Sequence, residues 1–238
     1  MRVPRALNPR IKKRLLKKFG VYDKVAPVET TPIRHVPEHI ERPNYLSKGK
    51  QIMVPTMPEI KDVNQVRGMR RSCKLASTIL GQLNNFIKVF FKGFHGDCSK
   101  TFLVGDVDDR GIQLVSVTEE CLNLAIRSCG PDVPFREIGA RIQRHAKSKG
   151  LTVIPAVIGH GIGNYFHGPP DIYHIRNKYP GVMKPGMTFT IEPVLTHGTE
   201  NVVLLEDCWT VITEDGSRAA QVEHTVLITD DGVEILTH

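Results

Sequence analysis

Three carboxylates stand in stretches of this chain that otherwise read as strand: Asp97 in His95-Gly96-Asp97, Glu192 in Phe189-Thr190-Ile191-Glu192-Pro193, and Glu223 in Gln221-Val222-Glu223-His224. A further segment, Gly159-His160-Gly161-Ile162-Gly163 running on to Phe166-His167, brings histidine into the same set. A carboxylate aimed into an apolar core is costly unless it is paired, hydrogen-bonded or metal-bound. Any fold of this chain must therefore gather these groups or turn them to water. Singly, each has an ordinary explanation. Asp97 beside Gly96 suits a turn, Glu192 before Pro193 an edge strand, Glu223 a solvent-facing strand position, and His160 a glycine-rich loop. Together they make an oxygen-rich donor set with a single nitrogen. That mix suits a pair of first-row divalent ions sharing carboxylates better than a structural zinc. Such ions polarise a carbonyl and activate water near neutral pH.

The rest of the pattern says what surrounds these segments. Asp62 and Gln65 stand at capping-box spacing. Val63, Val66, Met69, Cys73, Ala76, Leu80 and Leu83 then recur every three or four residues, which predicts an amphipathic helix. Residues 86–91 and 101–104 read as two strands joined through Gly93 to Gly96. Helices are expected over 110–129, stopped by Gly130-Pro131, and over 134–149, stopped by Gly150. The C-terminal third reads as strands at 151–157, 187–195, 202–204, 207–213, 221–229 and 232–236, with Asp215-Gly216 and Asp231-Gly232 as hairpin turns. Helices followed by strands, without β-α-β alternation, predict an α+β fold with an antiparallel sheet.

The 238 residues, 40% hydrophobic and 24% charged, fit an ordinary globular chain with no spanning apolar run. The net charge of +7 is concentrated: residues 1–24 hold nine basic residues and one acid, so the body is close to neutral and a body that binds nucleic acid specifically is not indicated. The tail, with Leu7, Ile11, Leu15 and Leu16 at near-helical spacing among the cations, reads as a mitochondrial transit peptide; a ribosome- or RNA-contacting arm and a solvated charge run are the alternatives. Residues 25–60, rich in proline, read as an extended linker or strap, and 61–238 as the folded domain that carries the four segments. Five cysteines (Cys73, Cys98, Cys121, Cys129, Cys208) without a C-x-x-C pair predict reduced, mostly buried thiols, as in a cytoplasmic or matrix protein.

The chain resembles the type I methionine aminopeptidases. The resemblance is carried by Gly159-His160-Gly161-Ile162-Gly163, by Lys184-Pro185-Gly186-Met187-Thr188-Phe189-Thr190-Ile191-Glu192-Pro193, by Gln221-Val222-Glu223-His224-Thr225 and by Gly93-Phe94-His95-Gly96-Asp97-Cys98. It covers residues 60–81 and 88–237, and the tail and strap look most like the mitochondrial members. It implies a pita-bread fold and removal of the initiator methionine from nascent proteins by a monomeric metallo-exopeptidase. Two divalent ions (Co, Mn, Fe, Zn or Ni) are implied as cofactors, with N-terminal Met peptides as substrates and the ribosome as a contact. Carried over by position, the resemblance implies Asp97 and Glu223 as bridging metal ligands, with His160 and Glu192 completing the first metal's shell. Glu192 is implied as the proton shuttle, His167 as a group at the scissile peptide, and Phe166 and Trp209 as walls of the methionine pocket. Plain core packing is the alternative for Trp209.

The family pattern is broken in one place. Where its first metal aspartate belongs, Asn84-Asn85-Phe86-Ile87-Lys88 supplies Phe86. Leu83 runs almost directly into Val89, leaving no room for the helix, hairpin, pocket wall and second substrate histidine found there in the family. The pattern implies an internal deletion near residues 82–89, a weakened second metal site, and slow or absent turnover. Two further readings stand beside this one: a non-catalytic binding protein of the same fold, held by its basic arm to ribosomes or another acidic partner, and a related pita-bread hydrolase such as a prolidase.

Overall fold

The structure is a computed structural model and describes residues 35–43, 54–83, 87–204 and 210–238. The basic tail, Phe86, Cys208, Trp209 and much of the strap lie outside the described residues. The first helix, α1 (Val63–Leu83), opens on the expected capping box. Gln65 Oε1 accepts the Asp62 backbone N–H at 2.9 Å, and Asp62 Oδ1 accepts the N–H groups of Asn64 at 2.8 Å and Gln65 at 2.9 Å. Its buried stripe is Met69, Cys73, Ala76 and Leu80.

This helix packs on a hairpin of β1 (Ile87–Phe91) and β2 (Phe94–Cys98), antiparallel with Val89 opposite Gly96. The turn is Lys92-Gly93, with φ of 49° and 84°, a two-residue loop whose positive dihedrals match strand twist. The second strand of the pair is thus 94–98 and not 101–104. Past Ser99 the chain runs beside Gln221 through the Thr101 hydroxyl, which donates to Gln221 O (2.7 Å) and accepts its N–H (3.0 Å); Leu103 and Val104 are exposed. Gly96 is required by close approach: a Cβ there would meet Ser72 O of α1 at 2.8 Å.

Helices α2 (Asp109–Ile126) and α3 (Arg136–Ser148) follow, ending a little short of the expected bounds. The remaining strands are β3 (Thr152–Val153), β4 (Gly159–Gly161), β5 (Gly168–Ile172), β6 (Thr188–Ile191), β7 (Val194–Thr196), β8 (Val202–Leu204), β9 (Val211–Thr213), β10 (Ala219–Gln221), β11 (His224–Ile228) and β12 (Val233–Ile235). They form a five-stranded sheet ordered β12-β11-β6-β4-β5, a three-stranded sheet ordered β10-β7-β3, and a β8-β9 hairpin. Every strand pair is antiparallel, so the α+β expectation holds.

Two expected single strands are each two strands. Residues 187–195 break at Glu192-Pro193, where β6 leaves the five-stranded sheet and β7 joins the three-stranded one. Residues 221–229 break at Val222-Glu223, where the chain crosses the other way. Asp231-Gly232 does join a hairpin, β11 to β12, whereas Asp215-Gly216 turns a corner between strands of different sheets. There Asp215 accepts the N–H groups of Thr199 (2.7 Å) and Ser217 (3.0 Å).

Alternation along β11 shows how the layers are built. Val226 and Ile228 join the main core with Leu114, Cys121 and Leu122 of α2, Ile138 and Ile142 of α3, and Phe189. Leu227 joins a second cluster with Met69 and Cys73 of α1 and with Ile162. Helices thus cover both faces of the sheet. Fully burying a side chain such as Phe189 contributes about 1.5–3 kcal/mol.

Candidate metal centre

The two sheet-crossing corners lie side by side. Ile191 pairs with His224 in one sheet and Val194 with Gln221 in the other, so Glu192-Pro193 faces Val222-Glu223 across the seam. The end of β2 docks there too: Ser99 N–H donates to Glu223 O at 3.4 Å, and Glu223 N–H to Ser99 O at 2.9 Å. This brings Asp97 to the same place, and β4 delivers His160 from the neighbouring position in the five-stranded sheet. Asp97 (2% exposed), Glu223 (1%), His160 (9%) and Glu192 (9%) are all buried.

Donor atoms of Asp97, His160 and Glu223 all lie within 4.8 Å of one another. Nε2 of His160 is 3.7 Å from Asp97 Oδ2 and 3.7 Å from Glu192 Oε1. On the far side of the ring, Nδ1 lies 3.2 Å from Gly161 O. A carbonyl accepts only, so Nδ1 carries the proton and Nε2 turns its lone pair toward the carboxylates, the orientation a ligating imidazole takes. Buried anions gathered around an imidazole lone pair are a donor set that a divalent cation fits.

Neighbouring side chains hold these groups in place. The fully buried Thr190 hydroxyl accepts the His160 backbone N–H at 3.0 Å and donates to Glu192 Oε1 at 2.9 Å. Gln221 Nε2 lies 3.3 Å from Glu192 Oε2. Thr225 Oγ1 donates to the backbone carbonyl of Asp97 at 2.7 Å. His174, also buried, contacts Glu192 through the backbone: its Nε2 accepts the Glu192 N–H at 3.1 Å, and its Nδ1 lies 3.0 Å from Val157 O. Burial pushes the His174 imidazole down to about 4, against the smaller opposing pull of the Val157 carbonyl. Burial also raises the thiols of Cys98, Cys121 and Cys129, each to about 12, and these described cysteines, with Cys73, are buried and free.

A row of rings leads from the hairpin to the centre. Phe90 and His95 are 4.8 Å apart between centroids, His95 and Phe166 5.3 Å, and Phe166 and His160 5.5 Å. His167 is exposed and packs edge-on to both His160 and Phe166, each at 4.3 Å. Burial lowers the His95 imidazole, whose Nδ1 sits 3.0 Å from Gly163 O.

Asp97, His160, Glu192 and Glu223 are therefore brought together as the sequence predicts, with Phe166 and His167 beside them. Thr190, His174 and Gln221 were not singled out from the sequence. The signal available for His174 was a lone imidazole in the apolar run Ile172-Tyr173-His174-Ile175.

A donor set of this kind, buried where two sheets cross, is the kind a metal-dependent hydrolase uses. Comparison with known proteins agrees. Residues 68–230 match the metallopeptidase family M24. The chain is 38% identical over 277 aligned residues to zebrafish (Danio rerio) "Methionine aminopeptidase 1D, mitochondrial", covering 90% of this chain and 82% of that protein. The human (Homo sapiens) protein of the same name is 34% identical, with 90% and 83% covered. Among solved structures, the methionine aminopeptidase of Rickettsia prowazekii superposes with a TM-score of 0.73 at 27% identity, covering 76% of this chain and all of that one. The chain belongs to metallopeptidase family M24 and, within it, to the type I methionine aminopeptidases. Its fold is the pita-bread fold, and the metals of its family are divalent. No helix among the described residues is long and apolar enough to cross a membrane.

Proposed function

We propose that the chain is a metallo-exopeptidase that removes the initiator methionine from nascent proteins, using Asp97, His160, Glu192 and Glu223 as metal ligands. The observation that carries this reading is the buried cluster of Asp97, His160 and Glu223 donor atoms, with His160 Nε2 also 3.7 Å from the buried Glu192. A divalent ion bound there supplies Lewis-acid polarisation of the scissile carbonyl and activation of water. The chain's own residues do the rest. Glu192, steadied by Thr190 and Gln221, takes a proton from the attacking water and returns it to the amine nitrogen as the C–N bond breaks. His167, exposed beside His160, donates a hydrogen bond to the substrate peptide. Phe166 forms one wall of the methionine pocket; Trp209, expected as a second, lies outside the described residues.

A second ion would be held by the carboxylates of Asp97 and Glu223, and weakly, because Phe86 stands where the family pattern has an aspartate. The alignment to the zebrafish protein, at 277 positions, is longer than this 238-residue chain. That relative therefore has residues with no counterpart here, and it is the broken family pattern in this sequence that puts a deletion near 82–89. Residues 1–24 act as a transit peptide and the protein works in mitochondria; the tail's composition and the names of these relatives support this.

Release of methionine from a Met-Ala-Ser peptide, with Co, Mn or Fe added and bound metal counted, tests both parts. The expected result is one tightly bound ion per chain and turnover well below that of an intact family member. Absence of metal binding sinks the exopeptidase reading, and two tight ions with full turnover sink the weakened second site.

A further inference from the structure

The chain breaks its sheet at Glu192, and the break leaves a backbone group to be satisfied. Ile191 is the last residue of β6 paired in the five-stranded sheet, and Pro193 has no N–H to give. The Glu192 N–H falls between the two ladders, buried, where a missing partner costs about 1–3 kcal/mol. His174 fills that place: Nε2 accepts from Glu192 at 3.1 Å while Nδ1 donates to Val157 O at 3.0 Å. A carbonyl cannot donate and an amide N–H cannot accept, so the two contacts admit only the tautomer with its proton on Nδ1. The imidazole, 1% exposed, thereby spans three positions. It follows β5, it ties down the segment entering β4, which carries His160, and it holds the corner that carries Glu192.

We propose that His174 is a positioning residue for the metal centre, fixing the Glu192 backbone so that its carboxylate stays 3.7 Å from His160 Nε2. This rests on Glu192 being a metal ligand, as proposed above. It assigns a role to a side chain that meets Glu192 at its backbone N–H and acts through the main chain. Thr190 steadies the carboxylate itself, and His174 steadies the peptide from which that carboxylate hangs.

The test uses the full chain and His174→Gln, His174→Asn and His174→Leu variants. A glutamine amide oxygen reaches the position of Nε2 and can accept the Glu192 N–H. An asparagine reaches only the position of Nδ1, and leucine replaces neither contact. Cobalt(II) affinity and the shape of its visible d–d band are read by titration. Exchange of the Glu192 amide proton is read by NMR in the metal-free proteins. The expected result is parental exchange and affinity within about threefold in the glutamine variant. In the asparagine and leucine variants the Glu192 amide should exchange faster, affinity should be roughly 10–100-fold weaker, and the band should change. Parental affinity in the asparagine variant, or equal weakness in glutamine and asparagine, overturns the proposal. If the asparagine and leucine variants fail to fold, the glutamine variant and the parental Glu192 exchange decide: a Glu192 amide that exchanges like an exposed one overturns it. A parent that binds cobalt and shows these differences but releases no methionine sinks the peptidase reading alone. A parent that binds no cobalt overturns both.

Discussion

At the scale of single residues, the centre depends on groups whose chemistry is plain only once their neighbours are known. Thr190 is the clearest. Its hydroxyl accepts from His160 and donates to Glu192, so one oxygen couples two ligands. Replacing it by valine, which keeps the shape, should leave the buried His160 N–H without its acceptor and cost about 1–3 kcal/mol in urea denaturation. Metal affinity should fall roughly tenfold or more in the same variant, and Thr190→Ser should restore both. A valine variant with parental affinity would show that the hydroxyl has no part in holding the centre. The proposed ligands drew notice because a carboxylate in an apolar run is expensive and demands a reason. Thr190 carried no such signal, since a threonine in a strand is unremarkable. Its role arises from β4 lying beside β6, a juxtaposition that no local pattern specifies.

At the scale of elements, the helices were read well because each is bounded by its own chemistry: the capping box at Asp62 and Gln65, the stops at Gly130 and Gly150. Strands were read less well where composition argued against them. The segment of β5 holds Pro169 and Pro170 and was not among the expected strands; it forms the edge of its sheet, where proline is tolerated. Similarly, β4 is Gly159-His160-Gly161, and its glycines are there because neighbouring backbone comes close: a Cβ on Gly161 would collide with Pro169 O. One tertiary link joins the first helix to the last strand. Arg70 of α1 donates from Nε to Glu234 Oε1 at 2.9 Å and from Nη2 to Oε2 at 2.6 Å. Hydrogen bonding from Arg70 lowers the Glu234 carboxyl below its ordinary value of 4.5. A carboxyl depressed in the folded state contributes stability above its unfolded value and loses it as pH falls through the folded value. Both side chains are well exposed, so solvent limits the pair to about 1 kcal/mol or less. Arg70→Met should therefore lower the urea midpoint slightly at pH 7, and the gap from the parent should close once pH drops well below 4.5. A gap that persists unchanged at pH 3 would assign the effect to packing of the arginine stem.

At the scale of the whole molecule, the buried donor set ties folding to metal. An ion that binds only the folded state stabilises it by mass action, about 2.7 kcal/mol at a hundredfold excess over the dissociation constant. Thermal unfolding followed with added Mn or Co should rise with metal concentration and return to the metal-free value with chelator. A melting temperature indifferent to both would mean that the four buried ligands do not form a cation site. What holds those ligands together is compact in sequence terms. The seam between the sheets uses residues 188–196 and 219–228, two short stretches that pair with each other on either side of a shared break. A seam of this kind works like a zip with a fixed slider. The register that sets Glu192 against Glu223 lies within these two stretches, so length changes in distant connections leave it in place. A single residue inserted at either corner would put the two acids out of step.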